Sequence, residues 1–98
     1  MIVEDASIRR DTDDEADYVI VGTGAAGAVA AATLAEGGAS VILIEEGPHV
    51  DASQLGRGTV AAFTGLFRDF GAQVTRGPVQ IPCLQAAVVG GSTVINSG

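Results

Sequence analysis

Cysteine, tryptophan and basic residues are scarce in this chain of 98 residues. It has one cysteine, so no disulfide can form within the chain, and it has no tryptophan. Five basic residues stand against twelve acidic ones, which gives a formal charge of −7. Because no basic patch is present to meet phosphates along a strand, nucleic-acid binding is disfavoured. No spacing of His, Cys and acidic residues is typical of a metal site.

The acidic residues are concentrated at the start of the chain. Residues 1–17 hold seven acidic residues and two arginines, a net −5 of the total −7. Such an arm, poor in aromatic residues, predicts a solvated and disordered acidic tail over residues 1–16. Acidic residues also follow Arg9-Arg10, so the pair lacks the context of an export signal, and we expect a cytoplasmic protein. Each of the later arginines, Arg57, Arg68 and Arg76, could contact a phosphate, but a surface position is expected.

Residues 18–35 carry no charge and reach the minimum length of a membrane helix. The stretch is mostly Ala, Gly and Thr, with three glycines within six residues. A membrane span is therefore not expected.

Residues 18–46 form the most informative stretch. The β-branched and aromatic residues of 18–21 favour a strand, and the alanine-rich run of 25–36 favours a helix. A continuous apolar run within residues 39–44 predicts a second strand, buried on both faces as in a parallel sheet. The fold class is therefore α/β: an incomplete Rossmann-like βαβ unit, followed by an irregular and helical C-terminal half. Residues 17–98 are predicted to form one partial nucleotide-binding domain.

The glycine turn between strand and helix has the pattern G-x-G-x-x-G. In a dinucleotide site Gly22 permits the tight exit from the strand, Gly24 lets the backbone approach a pyrophosphate, and Gly27 lets the helix lie close to the strand. Glu45 stands eighteen residues after Gly27, where a carboxylate accepts hydrogen bonds from a ribose hydroxyl. In the alternative interpretation the glycines serve only packing.

The C-terminal half gives weaker signals. Val60 and the three phenylalanines recur at helical spacing, which predicts an amphipathic helix over about 59–69, weakened by Gly65, with the phenylalanines in the core. Residues 72–75 are expected to form a short strand. Cys83 is expected to be a small buried apolar residue.

A second glycine motif, Gly90-Gly91-Ser92-Thr93, ends an apolar stretch. Glycines followed by hydroxyl side chains at a helix start can make a second phosphate cradle, in which Ser92 caps or hydrogen-bonds. Asn96 would lie one helical turn further along the same face. Taken alone, the segment is more typical of an ordinary turn than of a phosphate site.

Together these motifs resemble the N-terminal part of the glucose–methanol–choline (GMC) family of flavin oxidoreductases. The resemblance rests on residues 17–27, 41–48 and 90–97, and it covers nearly all of the chain after the acidic tail. The family usually has Glu-Ala-Gly-Pro after the second strand. Here the segment is Glu45-Glu46-Gly47-Pro48, so the ribose-binding acid maps to Glu45 and Glu46 replaces a small residue beside the adenosine.

The resemblance implies FAD as cofactor and oxidation of the CH–OH group of a small-molecule alcohol, with hydride passing to flavin N5. The cofactor-binding residues that it implies are Gly22, Thr23, Gly24, Ala25, Ala26, Gly27, Glu45, Glu46, Gly91, Ser92, Asn96 and Ser97.

No catalytic residue is assigned. The family's catalytic histidine lies near the far end of a much longer chain, and His49, the one histidine here, does not match it. His49 is expected to be an exposed turn residue. The sequence looks truncated, and we therefore expect the 98-residue chain to be inactive alone. Two alternatives stay open: the nucleotide-binding domain of a nicotinamide dehydrogenase, which does not need the second motif, and a non-catalytic half completed by a C-terminal partner chain.

Overall fold

A computed structural model describes residues 1–4, 7–55 and 58–95. Its strands are β1 (Tyr18–Val21) and β2 (Val41–Ile44), and its helices are α1 (Ala25–Glu36) and α2 (Thr59–Gly65). Short 3₁₀ turns lie at Ala52–Gln54, Arg68–Gly71 and Gly91–Thr93.

The N-terminal half is a βαβ unit. Strands β1 and β2 are parallel, with Tyr18 opposite Val41 and Val21 opposite Ile44. Helix α1 connects them and has the bounds that the alanine-rich run predicts. The α/β fold class is thereby confirmed.

Strand β2 begins at Val41, two residues later than predicted. Gly38, just after the end of α1, has φ +91°, and the N–H of Ala39 donates to the carbonyl of Leu34 at 3.1 Å. Ala39 therefore closes the helix end and is not available to extend the strand.

The sheet is incompletely covered. Ile20 lies beside Gly27 of α1, so by register and alternation Val19, Val21, Ile42 and Ile44 share the face opposite α1. Ile42 is half-buried, and the other three, Val19, Val21 and Ile44, are exposed. These three side chains are 56%, 82% and 52% exposed. The predicted burial of β2 on both faces is therefore not met within the described residues. The second layer would have to come from elsewhere.

Helix α2 is shorter than predicted because the chain leaves it to pair with a later segment. The N–H of Arg68 donates to the carbonyl of Gln85 at 2.8 Å, and the N–H of Ala87 donates to the carbonyl of Leu66 at 2.9 Å. The rings of Phe63 and Phe67 stack with centroids 4.5 Å apart.

The third phenylalanine, Phe70, does not join this stack. It is 69% exposed and has a positive φ of 57°. The expectation that all three phenylalanines lie in the core is therefore wrong at Phe70.

The expected strand over residues 72–75 is reduced to one isolated bridge between Val74 and Pro82. The bridge is made by the N–H of Thr75 to the Ile81 carbonyl at 2.9 Å and the N–H of Cys83 to the Gln73 carbonyl at 2.8 Å. The N–H of Ile81 donates to the Thr75 hydroxyl at 3.0 Å and not to the Thr75 carbonyl, so the ladder ends there. Cys83 is half-buried and not fully buried as expected.

Asp17 joins the chain just before β1 to the residue just before β2. Its carboxylate accepts hydrogen bonds from the Ser40 N–H at 2.8 Å and from the Ser40 hydroxyl at 2.9 Å. The described residues 1–4 and 7–15 are exposed, and disorder in the tail stays a prediction. None of the helices in the described part of the chain has the length and hydropathy that a membrane crossing requires.

Candidate functional site

The turn between β1 and α1 holds three glycines in different settings. Gly22 has φ +94°, which favours glycine. A Cβ on Gly27 would overlap the carbonyl of Gly22, so the helix does lie close to the strand end, as expected.

Gly24 is glycine for neither of these reasons. Its φ is −64°, and a Cβ built on it would meet no heavy atom within 4 Å. It precedes the first turn of α1, where Ala25 and Ala26 are exposed and no side chain caps the helix. The free N–H groups and the positive end of the helix dipole suit a phosphate. The open space at Gly24 therefore fits a dinucleotide pyrophosphate.

Glu45 closes the turn from the other side. Its Oε2 accepts from the N–H of Thr23 at 2.8 Å and from the Thr23 hydroxyl at 2.7 Å. Its Oε1 accepts from the N–H groups of Glu46 at 3.1 Å and Gly47 at 3.0 Å. Burial opposes ionisation of Glu45, but these four hydrogen bonds outweigh it and lower the pKa of the carboxyl below its ordinary value.

The second glycine motif packs directly against the first. The N–H of Gly90 donates to the Thr23 hydroxyl at 3.0 Å, across 67 positions of sequence. Gly91 has φ +69°, and a Cβ there would lie 2.7 Å from the Cα of Gly24. Ser92 accepts a hydrogen bond from the Ala86 N–H at 3.1 Å, and no side chain caps the short 3₁₀ turn that begins at Gly91.

The two glycine motifs and the end of β2 border an open groove with a volume of about 310 Å³. Six of the residues singled out from the sequence line it: Gly22, Gly24, Glu45, Glu46, Gly91 and Ser92. Thr23, Ala25, Ala26 and Gly27 belong to the same turn without lining the groove. Asn96 and Ser97 lie outside the described residues.

Arg68 also lines the groove, although the sequence favoured a plain surface position for it over a phosphate contact. Its Nη1 donates to Oε2 of Glu46 at 3.1 Å, and its Nη2 pairs with Oε1 of the same carboxylate. The bridge between Phe67 and Ala86 brings it there. No sequence spacing could have found it, because the pairing depends on this long-range contact.

The described residues contain no group of three or more His, Cys, Asp and Glu side chains placed to hold a metal ion. His49 is exposed, as expected, and is not among the residues that line the groove.

Residues 17–75 match the model of the FAD-binding domain. The chain belongs to the FAD-binding domain family. This FAD-binding domain is 42% identical over 85 residues to uncharacterized GMC-type oxidoreductases from two strains of Mycobacterium tuberculosis, a match over 85% of the chain and 13% of each relative. It is 41% identical over 83 residues to a GMC-type oxidoreductase of Sinorhizobium fredii, over 85% of the chain and 16% of that relative.

A shorter match links the FAD-binding domain to the vinyl phenol reductase of Lactiplantibacillus plantarum, with 55% identity over 40 residues, 41% of the chain and 8% of the relative. No solved structure gives a significant match. The chain spans about an eighth of the length of the M. tuberculosis relatives.

The comparisons confirm the GMC-type resemblance and FAD as the cofactor. The FAD match favours flavin over the nicotinamide alternative. The residues present fit a flavin dinucleotide, because the space at Gly24 beside the start of α1 is open to a pyrophosphate. Which residues contact FAD stays a prediction.

Proposed function

We propose that this chain supplies the adenosine and pyrophosphate site of an FAD-dependent oxidoreductase that acts on the CH–OH group of small alcohols. The observation that carries the proposal is the contact between the two glycine motifs, with Gly91 against Gly24. A nicotinamide domain needs the first motif only. Two anion-binding backbone segments in one groove suit a ligand that extends past its first phosphate site.

Within this site, Gly24 and the N–H groups at the start of α1 lie beside the pyrophosphate. Glu45 accepts from the adenosine ribose in exchange for one of its four hydrogen bonds from protein groups. Gly91 and Ser92 line the opposite side, followed by Asn96 and Ser97 along the chain. When bound, FAD supplies the flavin ring that accepts hydride. The chain's own residues bind and orient the nucleotide.

The proton acceptor for the alcohol is proposed to lie in the remainder of a longer protein or in a C-terminal partner chain. No His, Lys or Tyr is among the residues that line the groove, and its two carboxylates are both hydrogen-bonded to protein groups. The relatives that bear the GMC-type name are much longer than this chain. The chain alone is accordingly proposed to bind cofactor without turning over substrate.

Calorimetric titration of the full chain with FAD and with NAD tests the cofactor part of the proposal. FAD should bind more tightly than NAD, and equal or reversed affinities would contradict the site. The alcohol part is tested by adding the separately produced remainder of the M. tuberculosis relative. Alcohol-dependent flavin bleaching should appear only in the mixture, and bleaching by the chain alone would refute the division of roles.

A further inference from the structure

We infer that Thr23 is a positioning residue whose hydroxyl fixes the second cofactor segment, residues 90–92, against the glycine turn and Glu45. The inference rests on the proposed FAD site and assigns to Thr23 a role other than cofactor contact. The side chain does not line the groove, so its effect on FAD is exerted through its neighbours.

The Thr23 hydroxyl is used as both donor and acceptor. It donates to Oε2 of Glu45 at 2.7 Å and accepts from the N–H of Gly90 at 3.0 Å. A hydroxyl has one proton and two lone pairs, so it can connect a carboxylate to an N–H group. A valine of nearly the same shape can do neither. The hydroxyl thus connects three segments: the turn, the end of β2 and residues 90–92.

Few long-range contacts hold residues 90–92 in place. Ser92 accepts from the N–H of Ala86 at 3.1 Å, and just before the segment the N–H of Val89 donates to the carbonyl of Pro48 at 3.1 Å and Val88 is buried. Gly90 and Gly91 both have positive φ, at 99° and 69°, and bring no side chain to pack. The N–H of Gly91 bonds only locally, to Val88 at 2.9 Å. Among the described residues, the Gly90–Thr23 hydrogen bond is the one that joins the glycine turn to this segment. Since glycines are conformationally free, the restraint has to come from such a contact.

Removing the hydroxyl leaves the Gly90 N–H without its partner and leaves Oε2 of Glu45 with the Thr23 N–H alone. The two sides of the groove then lose their fixed spacing, and FAD has to restore it on binding. An unformed site binds its ligand less tightly than a preorganised one. The expected loss is about tenfold in FAD affinity, the usual size for one or two part-buried hydrogen bonds.

The test compares the full chain with Thr23→Val, which removes the hydroxyl, and Thr23→Ser, which keeps it. Thr33→Val is the matched control, because that hydroxyl bonds only to the Val29 carbonyl within α1. FAD affinity and hydrogen exchange at the Gly90 amide are measured for each. Thr23→Val should weaken FAD binding and speed Gly90 exchange, whereas Thr23→Ser and Thr33→Val should behave as the unchanged chain.

Unchanged Gly90 exchange and FAD affinity in Thr23→Val would overturn the inference. So would a loss in Thr23→Ser as large as in Thr23→Val, since the methyl group and not the hydroxyl would then matter. If Thr23→Val loses its helical circular dichroism, Thr23→Ala against Thr23→Ser decides the same question. Failure of the unchanged chain to bind FAD would defeat the proposed function, and Gly90 exchange would still decide whether Thr23 holds the segment.

Discussion

The three glycines of the β1–α1 turn are glycine for three different reasons. Gly22 needs a positive φ, and Gly27 needs room against the Gly22 carbonyl. Gly24 needs neither, since its φ is ordinary and its Cβ position is empty of protein atoms. The absence of a side chain at Gly24 is therefore best explained by the ligand. This difference allows binding and folding to be separated by substitution.

We expect Gly24→Val to weaken FAD binding by tenfold or more, roughly the effect of losing a close phosphate contact. The added side chain would stand in the path of the pyrophosphate. The unfolding midpoint should fall less than in Gly27→Ala, because no protein atom lies within 4 Å of the new Cβ, and the fall that remains reflects valine as a poorer N-cap of α1 than glycine. Calorimetric FAD titration and thermal unfolding of the same samples measure the two effects.

Gly27→Ala is the comparison variant. Its Cβ would overlap the Gly22 carbonyl, so the helix has to move and the unfolding midpoint should fall with or without FAD. Equal FAD affinity in Gly24→Val and the unchanged chain would contradict the placement of the pyrophosphate.

The hydrogen bonds of Glu45 predict a pH dependence of stability. The pKa of Glu45 is lowered in the folded chain from its ordinary value of 4.5. A group with a lowered folded pKa contributes stability that is present above its unfolded pKa and is lost as the pH falls through the folded pKa. The free energy of unfolding should therefore decrease as the pH drops below about 4.5.

Urea unfolding at a series of pH values measures the slope of the free energy of unfolding against pH. Glu45→Gln should flatten it and lower stability at neutral pH by about 1 kcal/mol, through weaker hydrogen bonds to Thr23. Asp17, whose pKa is lowered by its hydrogen bonds to Ser40, accounts for the slope that remains. Glu36→Gln, at the exposed end of α1, is the charge-matched control. An unchanged slope in Glu45→Gln would disprove the assignment.

At the scale of elements, the sequence patterns located the βαβ unit well and the C-terminal half poorly. The alanine-rich run and its glycine boundaries are local signals, so α1 follows the prediction from Ala25 to Glu36. Helix α2 ends early at Gly65 because the chain pairs with residues 85–87. That pairing is long-range and leaves no periodic trace in the sequence.

The same distinction between local sequence signals and long-range contacts applies to the residues of the candidate site. Glycine spacing identifies Gly22 and Gly91, because a positive φ demands that residue type at both, and it identifies Gly24 by its place in the motif. Thr23 occupies a variable position of the motif, so the pattern is silent about its hydroxyl. Arg68 reaches the groove only through the contact of its element with residues 85 and 86.

The 3₁₀ turn at Arg68–Gly71 brings a positive charge to a groove that also holds two carboxylates. Glu46 pairs with Arg68, and both side chains are partly exposed, at 56% and 37%, so the pair adds little to stability. We expect Arg68→Gln to weaken FAD binding about threefold to tenfold, because an anionic ligand then meets Glu45 and Glu46 without a nearby cation. FAD titration at low and high salt measures the loss.

The loss should shrink as salt is raised, since screening weakens exposed charge interactions. Arg76→Gln removes an equal charge from outside the groove and should leave affinity unchanged. If both variants lose affinity equally, the effect belongs to net charge and not to the position of Arg68.

At the scale of the whole molecule, the chain buries little of its apolar surface. Its radius of gyration is 15.7 Å, against roughly 13 Å for a compact domain of this length. The exposed acidic segment contributes to that excess. Among the described residues only Ala31 and Val88 are buried hydrophobic side chains. Such a small core gives a weak drive to fold in isolation.

One consequence of this small core is an exposed apolar face of the sheet. Val19, Val21 and Ile44 lie together and exposed on strands that parallel sheets normally bury on both sides. We expect the full chain to bind a hydrophobic dye such as ANS, with Val21→Thr and Ile44→Thr each reducing the fluorescence. Val29→Thr is the control, because Val29 is equally apolar and 67% exposed but lies on α1, away from this face.

Adding the separately produced remainder of the M. tuberculosis relative should suppress the dye signal, if that remainder supplies the missing layer. The signal should then fall in the unchanged chain and in Val29→Thr alike. Dye binding that Val21→Thr leaves intact would place the apolar surface elsewhere. Dye binding that survives the added remainder would mean that the open face is completed by something other than the segments that the longer relatives carry.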